Sequence, residues 1–273
     1  MKNSVSGKTI LVTGSTDGLG KLVARHLAEQ NATVLLHGRD AEKGKQVLQE
    51  LISQTGNQNI RYYNGDFASF SEVGRLSKEI IQNHTQIDVL INNVGIGSGK
   101  VSDNNQRRIS KDGIELRFQV NYLSHVLLTE KLLSILSPNA VIINVASIGQ
   151  EPIDFDNLML EQNYDGFFAY KQSKTALIMY TFDLAERLKN SGIRVNVLHP
   201  ASLMNTKMVF EDWNYTLTTV EQGAEATENL LFPDSTGEYY DMKRKAKAIS
   251  QTYISKARAA LWIKTQELLS EFL

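Results

Sequence analysis

The stretch Thr9-Ile-Leu-Val-Thr-Gly-Ser-Thr-Asp-Gly-Leu-Gly20 decides the fold, because an apolar run leads directly into a glycine-rich turn. Its glycines have the spacing G-x3-G-x-G, which allows a tight turn and lets backbone N–H groups at a helix N-terminus approach a pyrophosphate. A glycine-rich turn without a ligand is the alternative, and glycines alone leave the two about even. Its position after a first strand favours a nucleotide. The candidate cofactor-binding residues here are Gly14, Ser15, Thr16, Asp17, Gly18, Leu19 and Gly20.

Further apolar runs alternate with amphipathic stretches along the chain. The runs predict strands over 9–13, 33–36, 60–63, 88–92, 140–145 and 194–198. Apolar residues at every third or fourth position predict helices over 22–30, 42–53, 73–83, 114–136 and 168–189. Strands that are apolar at consecutive positions suit a sheet covered on both faces, and the alternation calls for parallel right-handed crossovers. We predict a doubly wound parallel α/β sheet, in one domain over residues 1–273.

The C-terminal third is less regular. In chain order we expect a loop or lid over 201–219, a helix over 219–231, a short edge strand over 237–240 and a long helical segment over 243–269. Thr219 and Gln222 form a plausible capping box at the start of the first helix. The basic residues at 243–247 indicate a solvated helix face rather than a binding patch.

Composition excludes several kinds of chemistry. The chain is 42% hydrophobic and 22% charged, with mean hydropathy -0.25, which is typical of a soluble globular protein. A net charge of -1 provides no basic field for nucleic acid. There is no cysteine, and the five histidines lack the i, i+4 spacing of paired ligands, so we expect no metal. Without a signal peptide or a run of roughly 18 apolar residues, we expect a cytoplasmic protein with no membrane span.

The end of the second predicted strand carries a residue that discriminates between cofactors. Arg39 lies 39 - 20 = 19 residues after Gly20, where the residue that meets the adenosine ribose is expected. An acidic residue there would bind the 2′-hydroxyl of NAD, whereas arginine holds the 2′-phosphate of NADP. An ordinary surface arginine is the alternative, and Asp40 is interpreted as a helix N-cap. The pattern favours NADP.

The next two strand ends carry weaker signals. Asp66 follows the third strand, and its carboxylate would accept a hydrogen bond from the adenine amine, although a turn aspartate explains it equally well. Its neighbour Phe67 is a second candidate cofactor-binding residue. Asn93, Val94 and Gly95 follow the fourth strand, where small residues let the backbone approach a cofactor.

The strongest constellation is Tyr170-Lys-Gln-Ser-Lys174, early in a predicted helix, with Ser147 at the exit of the fifth strand. Tyr and Lys at i, i+4 share one helix face, so the ammonium can lie close to the phenol. We expect this cation to lower the pKa of Tyr170 from about 10 toward the working pH, as a general acid/base requires. A surface Tyr–Lys pair is the alternative, and the spacing alone decides nothing.

Together these residues resemble the short-chain dehydrogenase/reductase family over nearly the whole chain. Five family motifs occur in order, at residues 13–20, 92–95, 121, 147 and 170–174. The resemblance implies a Rossmann-type fold in which Tyr170 moves the substrate proton, Lys174 holds the nicotinamide ribose and Ser147 steadies the substrate oxygen. It also implies that Asn121 holds a water of a proton relay.

The same resemblance implies that Pro200 and Thr206 flank the nicotinamide carboxamide, although this stretch departs from the family's usual P-G start. Val94 replaces the usual alanine, and we expect cofactor binding to survive the two extra methyl groups. Ser147 and Tyr170 are 170 - 147 = 23 positions apart, and this insertion resembles the retinol-dehydrogenase-like branch. We expect it to wall a hydrophobic pocket, with packing against the body as the alternative. Its apolar residues are Phe155, Leu158, Met159, Tyr164 and Phe167.

The resemblance implies an NADP(H)-dependent oxidoreductase that moves hydride between nicotinamide C4 and the carbonyl or alcohol carbon of a hydrophobic aldehyde, ketone or alcohol. One alternative is a catalytically idle NADP(H)-binding sensor or interaction protein, against which the intact catalytic set argues. Another is a methyltransferase, against which Arg39 argues. The helices at 114–136 and 168–189 resemble those that pair subunits in this family, so a homo-oligomer is an expectation unless the C-terminal segment covers that surface.

Overall fold

The computed structural model describes residues 4–99 and 105–273, and within them eight strands form one sheet in the order β3-β2-β1-β4-β5-β6-β7-β8. Strands β1 to β7 run parallel, and β8 is antiparallel to β7. The strands are β1 Thr9–Val12, β2 Thr33–Gly38, β3 Ile60–Asn64, β4 Ile87–Asn92, β5 Leu136–Val145, β6 Arg194–His199, β7 Tyr239–Asp241 and β8 Arg244–Ala246.

Helices cover both faces of this sheet. They are α1 Gly18–Glu29, α2 Ala41–Thr55, α3 Phe70–Asn83, α4 Leu116–Phe118, α5 Ser124–Leu132, α6 Gly166–Arg187, α7 Lys207–Trp213, α8 Val220–Glu228 and α9 Ser255–Leu268. Along β4, Leu90 packs into the core beneath α3, α5 and α6, while Val89 and Ile91 pack into the core beneath α1, α2 and α8. The consecutive apolar residues of the strands therefore serve two cores, and the predicted doubly wound sheet is confirmed.

The N-caps predicted for two helices are present in the structure. The Asp40 side chain accepts hydrogen bonds from the backbone of Glu42 and Lys43, both at 3.0 Å, at the start of α2. Thr219 and Gln222 form the complete capping box at the start of α8. This helix ends at Glu228, three residues before the predicted end.

The helix predicted over 114–136 is interrupted. It begins as α4, passes through a π-helical turn at Gln119–Leu123, continues as α5 and closes with a 3₁₀ turn at Leu133–Ile135. Strand β5 then begins at Leu136, four residues earlier than predicted. A single five-residue π turn interrupts the α-helical period too briefly for the apolar pattern to reveal the break.

Two expectations in the C-terminal third were wrong, and a third was incomplete. The predicted loop or lid at 201–219 also contains α7, whose first turn is capped by the Thr206 side chain. The strand predicted at the edge is β7, which lies inside the sheet because β8 pairs with it. The helix predicted from residue 243 starts only at Ser255, since Met242 adopts φ 54° and turns the chain from β7 back into β8.

The C-terminal segment lies against α6. Trp262 stacks on Tyr180 with ring centroids 6.2 Å apart, and Tyr253 stacks on Phe182 at 5.2 Å. The C-terminal segment therefore covers part of the surface on which the expected homo-oligomer depends. The homo-oligomer and the single domain both remain predictions. No helix within 4–99 and 105–273 has the length and apolar character that a membrane crossing requires.

Candidate active site

The site lies at the carboxyl ends of the parallel strands, which all meet at one edge of the sheet. The glycine-rich turn follows β1, Arg39 follows β2, and the Asn93–Gly95 stretch follows β4. Ser147 follows β5, and Pro200 follows β6. Five sequence-predicted segments that are distant in the chain therefore surround one cleft.

The turn after β1 is a cradle in which side chains would not fit. Gly14 and Gly18 have φ of 64° and 48°, in the left-handed region that favours glycine. A Cβ on Gly20 would overlap the Gly14 carbonyl oxygen and lie 2.5 Å from the Asn93 side-chain nitrogen. The turn ends at the N-terminus of α1, where backbone N–H groups favour an anion. The residues present therefore fit the pyrophosphate of a nicotinamide cofactor.

Buried polar groups behind the turn hold its shape. The Gly14 N–H donates to His37 Nδ1 at 3.1 Å, and His37 Nε2 then donates to the Gly65 carbonyl at 3.1 Å. The Ser15 N–H donates to the His37 carbonyl at 2.9 Å, and the Ser15 hydroxyl accepts from the His37 N–H at 2.9 Å. The Asn93 amide donates to the Thr13 carbonyl at 2.9 Å. Ser15, which is fully buried, and Asn93 thus support the turn from within.

The other side chains of the turn have local roles. Asp17 accepts a hydrogen bond from the Gly18 N–H at 2.8 Å and pairs with Lys43 at 2.5 Å, and this lysine lowers the pKa of the carboxyl. Thr16 packs against Gly38, where a Cβ would lie 2.6 Å from its methyl carbon. Leu19 is buried in the core. These three side chains are therefore engaged by neighbouring groups of the protein.

The residues predicted to meet the adenosine differ in exposure. Arg39 is exposed at the end of β2, free of the core and available to an anion. The Asp66 carboxylate accepts from the Ala68 N–H at 3.0 Å, as a turn aspartate does, and lies 3.6 Å from Lys111 Nζ. Phe67 is buried, with its ring 4.9 Å from that of His37. The ring of Phe67 therefore belongs to the core.

The stretch after β4 passes close to the predicted catalytic lysine. A Cβ on Gly95 would lie 3.4 Å from Lys174 Nζ and 3.5 Å from Asn121 Oδ1. Asn121 Oδ1 accepts from the Ile96 N–H at 2.8 Å, and its amide donates to the Ile96 carbonyl at 3.1 Å. The side chain of Asn121 is thus occupied in holding this stretch, and its own backbone sits in the π turn, a feature frequent at functional sites. His125, one turn later, bonds the Val94 carbonyl at 2.8 Å through Nε2.

Helix α6 brings the last three predicted residues together. The Asp165 side chain caps this helix by accepting from the Phe168 N–H at 2.7 Å, which places Tyr170 in its first turns. Lys174 is almost fully buried, and its Nζ donates to the Val145 carbonyl at 3.0 Å and lies 5.9 Å from the centroid of the Tyr170 ring. Ser147 lies two residues beyond the end of β5, where its hydroxyl is close enough to the Tyr170 phenol to lower the pKa of that group.

Burial controls the protonation of this group, and the expected low pKa of Tyr170 is wrong in direction. Desolvation raises the pKa of Tyr170, and the hydrogen bond from Ser147 only partly opposes it. Desolvation likewise lowers the pKa of Lys174 from 10.5 to about 8. The lysine points to the Val145 carbonyl, so in this structure its charge does not compensate for the burial of the phenol.

The segment that contains helix α7 borders the cleft. Thr206 caps this helix. A Cβ on Gly18 would lie 3.3 Å from the Thr206 methyl carbon, so Thr206 borders the glycine-rich turn. Asp212 accepts hydrogen bonds from the Ser98 N–H at 2.7 Å and its hydroxyl at 3.0 Å. Pro200 is buried at the end of β6. The α7 segment therefore bridges two of the loops that surround the site.

The insertion between Ser147 and Tyr170 packs mostly against the body of the protein. Phe155, Leu158 and Met159 lie against the core beneath α6, which favours the alternative of packing against the body over an apolar pocket wall. The Tyr164 hydroxyl donates to the buried Glu115 carboxylate at 3.1 Å. Phe167 is the exception, with its ring 5.8 Å from that of Trp213 in α7.

Several supporting residues were missed by sequence reasoning. His37 and His125 were noted only as scattered histidines, because their partners are backbone groups of distant loops. The Tyr239 hydroxyl donates to the Ser147 carbonyl at 3.2 Å, and the Gln150 amide donates to the same oxygen at 3.2 Å. The contact of Tyr239 depends on the pairing of strands far apart in the sequence, and the contact of Gln150 lies within one loop that has no marked sequence pattern.

The chain matches known proteins along most of its length. The short chain dehydrogenase family model matches residues 8–214. The chain is 36% identical over 204 residues to retinol dehydrogenase 13 of Mus musculus, covering 73% of this chain and 59% of that protein. It is 34% identical over 233 residues to retinol dehydrogenase 11 of Homo sapiens, covering 81% and 71% respectively. The match thus spans less than two thirds of retinol dehydrogenase 13.

Solved structures share the fold. An uncharacterized protein from Mycobacterium paratuberculosis superimposes with a TM-score of 0.81 at 24% identity, covering 98% of this chain and 95% of that one. A short chain dehydrogenase from Shigella flexneri 2a, complexed with NADP, gives a TM-score of 0.69 at 24% identity, covering 89% and 100%. The ordered motifs, the sheet and the sequence matches agree, and the chain belongs to the short-chain dehydrogenase/reductase family of oxidoreductases, in its retinol-dehydrogenase-like branch.

Proposed function

We propose that this protein is an NADP(H)-dependent oxidoreductase that interconverts a hydrophobic carbonyl compound and its alcohol, with Tyr170 as the general acid/base. The observation that carries the proposal is the convergence of Ser147, Tyr170 and Lys174 beside Gly95, at the same edge of the sheet as the glycine-rich cradle. A nicotinamide cofactor, which this family binds, would supply or accept the hydride at its C4 atom.

The chain's own residues would handle the substrate oxygen and its proton. Ser147 would donate a hydrogen bond to the carbonyl oxygen, and Tyr170 would transfer its phenolic proton to that oxygen as the alcohol forms. The raised pKa of Tyr170 keeps the phenol protonated at neutral pH, which supports carbonyl reduction. Alcohol oxidation needs the phenolate and is therefore favoured at more alkaline pH. Lys174 would hold the nicotinamide ribose, with Asn121 positioning the stretch beside it.

Residues at two strand ends support the choice of cofactor. The cradle of Gly14, Gly18 and Gly20 leaves room for a pyrophosphate at the N-terminus of α1. Arg39 is exposed immediately after β2, where its guanidinium would pair with a 2′-phosphate. The next residue, Asp40, is committed to capping α2, so no carboxylate stands free there for a ribose 2′-hydroxyl. This arrangement supports NADP(H) over NAD(H).

Apolar side chains around the opening support a hydrophobic substrate. Ile148, immediately after Ser147, is 57% exposed. Helix α7 exposes Phe210 and Trp213, at 56% and 42%, on the segment that borders the cleft. Water-exposed apolar side chains at these positions would be stabilised by contact with an apolar ligand.

A screen of purified protein for NADPH oxidation at 340 nm against aldehydes, ketones and quinones tests the proposal. We expect Tyr170→Phe to lower kcat by roughly 10²- to 10⁴-fold, the contribution of a general acid, with NADPH affinity within about twofold of wild type. Tyr180→Phe is the matched control, because it removes a buried hydroxyl from the same helix, bonded to Glu130 at 2.9 Å and distant from the site. Comparable turnover in Tyr170→Phe would refute the proton-donor role.

The same screen addresses the alternative of an idle NADP(H)-binding protein. Tight NADPH binding without consumption of NADPH against the whole panel would favour the alternative. The intact set of Ser147, Tyr170 and Lys174 leads us to expect turnover.

A further inference from the structure

Ser147 is held from a part of the chain that lies beyond the matched family region. That region ends at residue 214, whereas β7 and the segment after β8 follow it. In β7, Tyr239 pairs with Val197 of β6, which in turn pairs with Asn144 of β5. Strand β5 ends at Val145, two residues before Ser147, so the sheet places Tyr239 two strands away from the start of the catalytic loop.

The Tyr239 side chain bridges this distance on the face beneath α6. It is 3% exposed and packs in the same core as Val197 and Ala176. Its hydroxyl reaches the Ser147 carbonyl oxygen at 3.2 Å. Burial raises the pKa of Tyr239 well above its ordinary value, so the group remains a phenol that donates.

Gln150 adds a second donor to the same oxygen and links it to the C-terminal segment. Its amide nitrogen donates to the Ser147 carbonyl at 3.2 Å, and its amide oxygen accepts from the Ile249 N–H at 2.9 Å. Gln251 bonds both backbone groups of Ile153, accepting from the N–H at 2.6 Å and donating to the carbonyl at 3.2 Å. Residues 249–251 therefore hold the loop that carries Ser147 at two points.

We propose that Tyr239 is a positioning residue for Ser147, acting with Gln150 to fix the Ser147 carbonyl and thereby the direction of the Ser147 hydroxyl toward the substrate. This inference rests on the proposed function. A carbonyl held by two donors cannot rotate without losing one of them, and its rotation would turn the adjacent side chain away from Tyr170. The C-terminal segment is then part of the catalytic framework of this chain.

Tyr239→Phe, which removes only the hydroxyl, tests the inference. We expect kcat to fall about tenfold while the Kd for NADPH stays within about twofold, because misplacing a reacting group slows the chemical step without altering cofactor contacts. The alkaline limb of the pH profile should also move to higher pH, since Ser147 lowers the pKa of Tyr170. Gln150→Met removes the second donor and should change both quantities in the same direction.

Tyr240→Phe is the matched control. Tyr240 is the next residue on the same strand and is also buried, but it packs in the opposite core, with its hydroxyl 3.4 Å from Ser235. Equal kcat and equal pH profiles for Tyr239→Phe and Tyr240→Phe would overturn the inference.

A double-mutant cycle separates positioning through Ser147 from a general structural effect. In a Ser147→Ala background, Tyr239→Phe should no longer lower kcat, and an undiminished fall there would overturn the inference. If the wild-type protein turned over no carbonyl compound, the proposed function would fail. Crystal structures alone would then test the positioning role. We expect Ser147 Oγ to move by more than about 0.5 Å in Tyr239→Phe, and an unmoved Oγ would refute the role.

Discussion

Replacing His37 by asparagine should make the stability of this protein less sensitive to acid. His37 is 1% exposed, and desolvation lowers its pKa from 6.5 to about 4. Its Nδ1 accepts from the Gly14 N–H, so the folded protein needs the neutral imidazole. The unfolded chain takes up the proton near pH 6.5, whereas the folded chain does so only near pH 4.

The sign and size of the effect follow from these two values. Because the folded-state pKa is depressed, the stabilisation is complete above pH 6.5 and is lost as the pH falls toward 4. A difference of 6.5 - 4 = 2.5 in pKa corresponds to a total loss of about 3 kcal/mol. Between pH 7.5 and pH 5.0 the expected loss from His37 is about 2 kcal/mol.

Urea unfolding at pH 7.5 and pH 5.0 measures this change. Asparagine places an amide oxygen near the position of Nδ1, so the Asn variant can still accept from the Gly14 N–H but does not titrate. Wild type should lose about 2 kcal/mol more than His37→Asn between the two pH values. Leu36→Val, at the neighbouring buried position of β2, is the control and should be destabilised equally at both pH values. Equal losses in wild type and His37→Asn would refute the reasoning.

Two predictions concern the cofactor site. Gly20→Ala should raise the Kd for NADPH at least tenfold, or about 1.4 kcal/mol, by titration calorimetry, because the new Cβ displaces the Gly14 carbonyl and the Asn93 amide. Gly74→Ala, which meets open space on α3, should leave this Kd unchanged, and an equal effect of the two substitutions would contradict the cradle. Arg39→Asp should reduce the preference for NADPH over NADH in kcat/KM at least tenfold, or about 1.4 kcal/mol, since a carboxylate repels the 2′-phosphate. An unchanged ratio would disprove the role of Arg39.

The sequence predicted those parts of the fold that depend on local pattern. Six of the strands and most of the long helices follow from apolar periodicity, and the caps at Asp40 and Thr219 follow from side chains next to the backbone they bond. The hairpin of β7 and β8 was missed, because β8 has only three residues and its basic side chains also suit a solvated helix. Short elements are set by their tertiary partners rather than by their own period.

The candidate site likewise has a part that the sequence predicted and a part that it did not. Motif spacing predicted the positions of Ser147, Tyr170 and Lys174, which the structure brings together. The groups that hold the site, such as His37 and Tyr239, bond backbone atoms of loops that only the folded sheet brings near. Their residue types carry no signal on their own, since a buried histidine or tyrosine is more often part of a core.

The i, i+4 spacing suggested that Lys174 would lower the pKa of Tyr170, but burial of the two groups has the opposite effect on that pKa. In water the two groups have pKa values of about 10 and 10.4, and a neighbouring ammonium would favour the phenolate. In the folded protein, burial raises the pKa of Tyr170 and lowers that of Lys174 to about 8, so the lysine loses its proton first. The hydrogen bond from Ser147 opposes this effect and favours the phenolate. The placement of Ser147 therefore contributes to the acidity of Tyr170, and the donors on its carbonyl, Tyr239 and Gln150, act on the proton transfer through that placement.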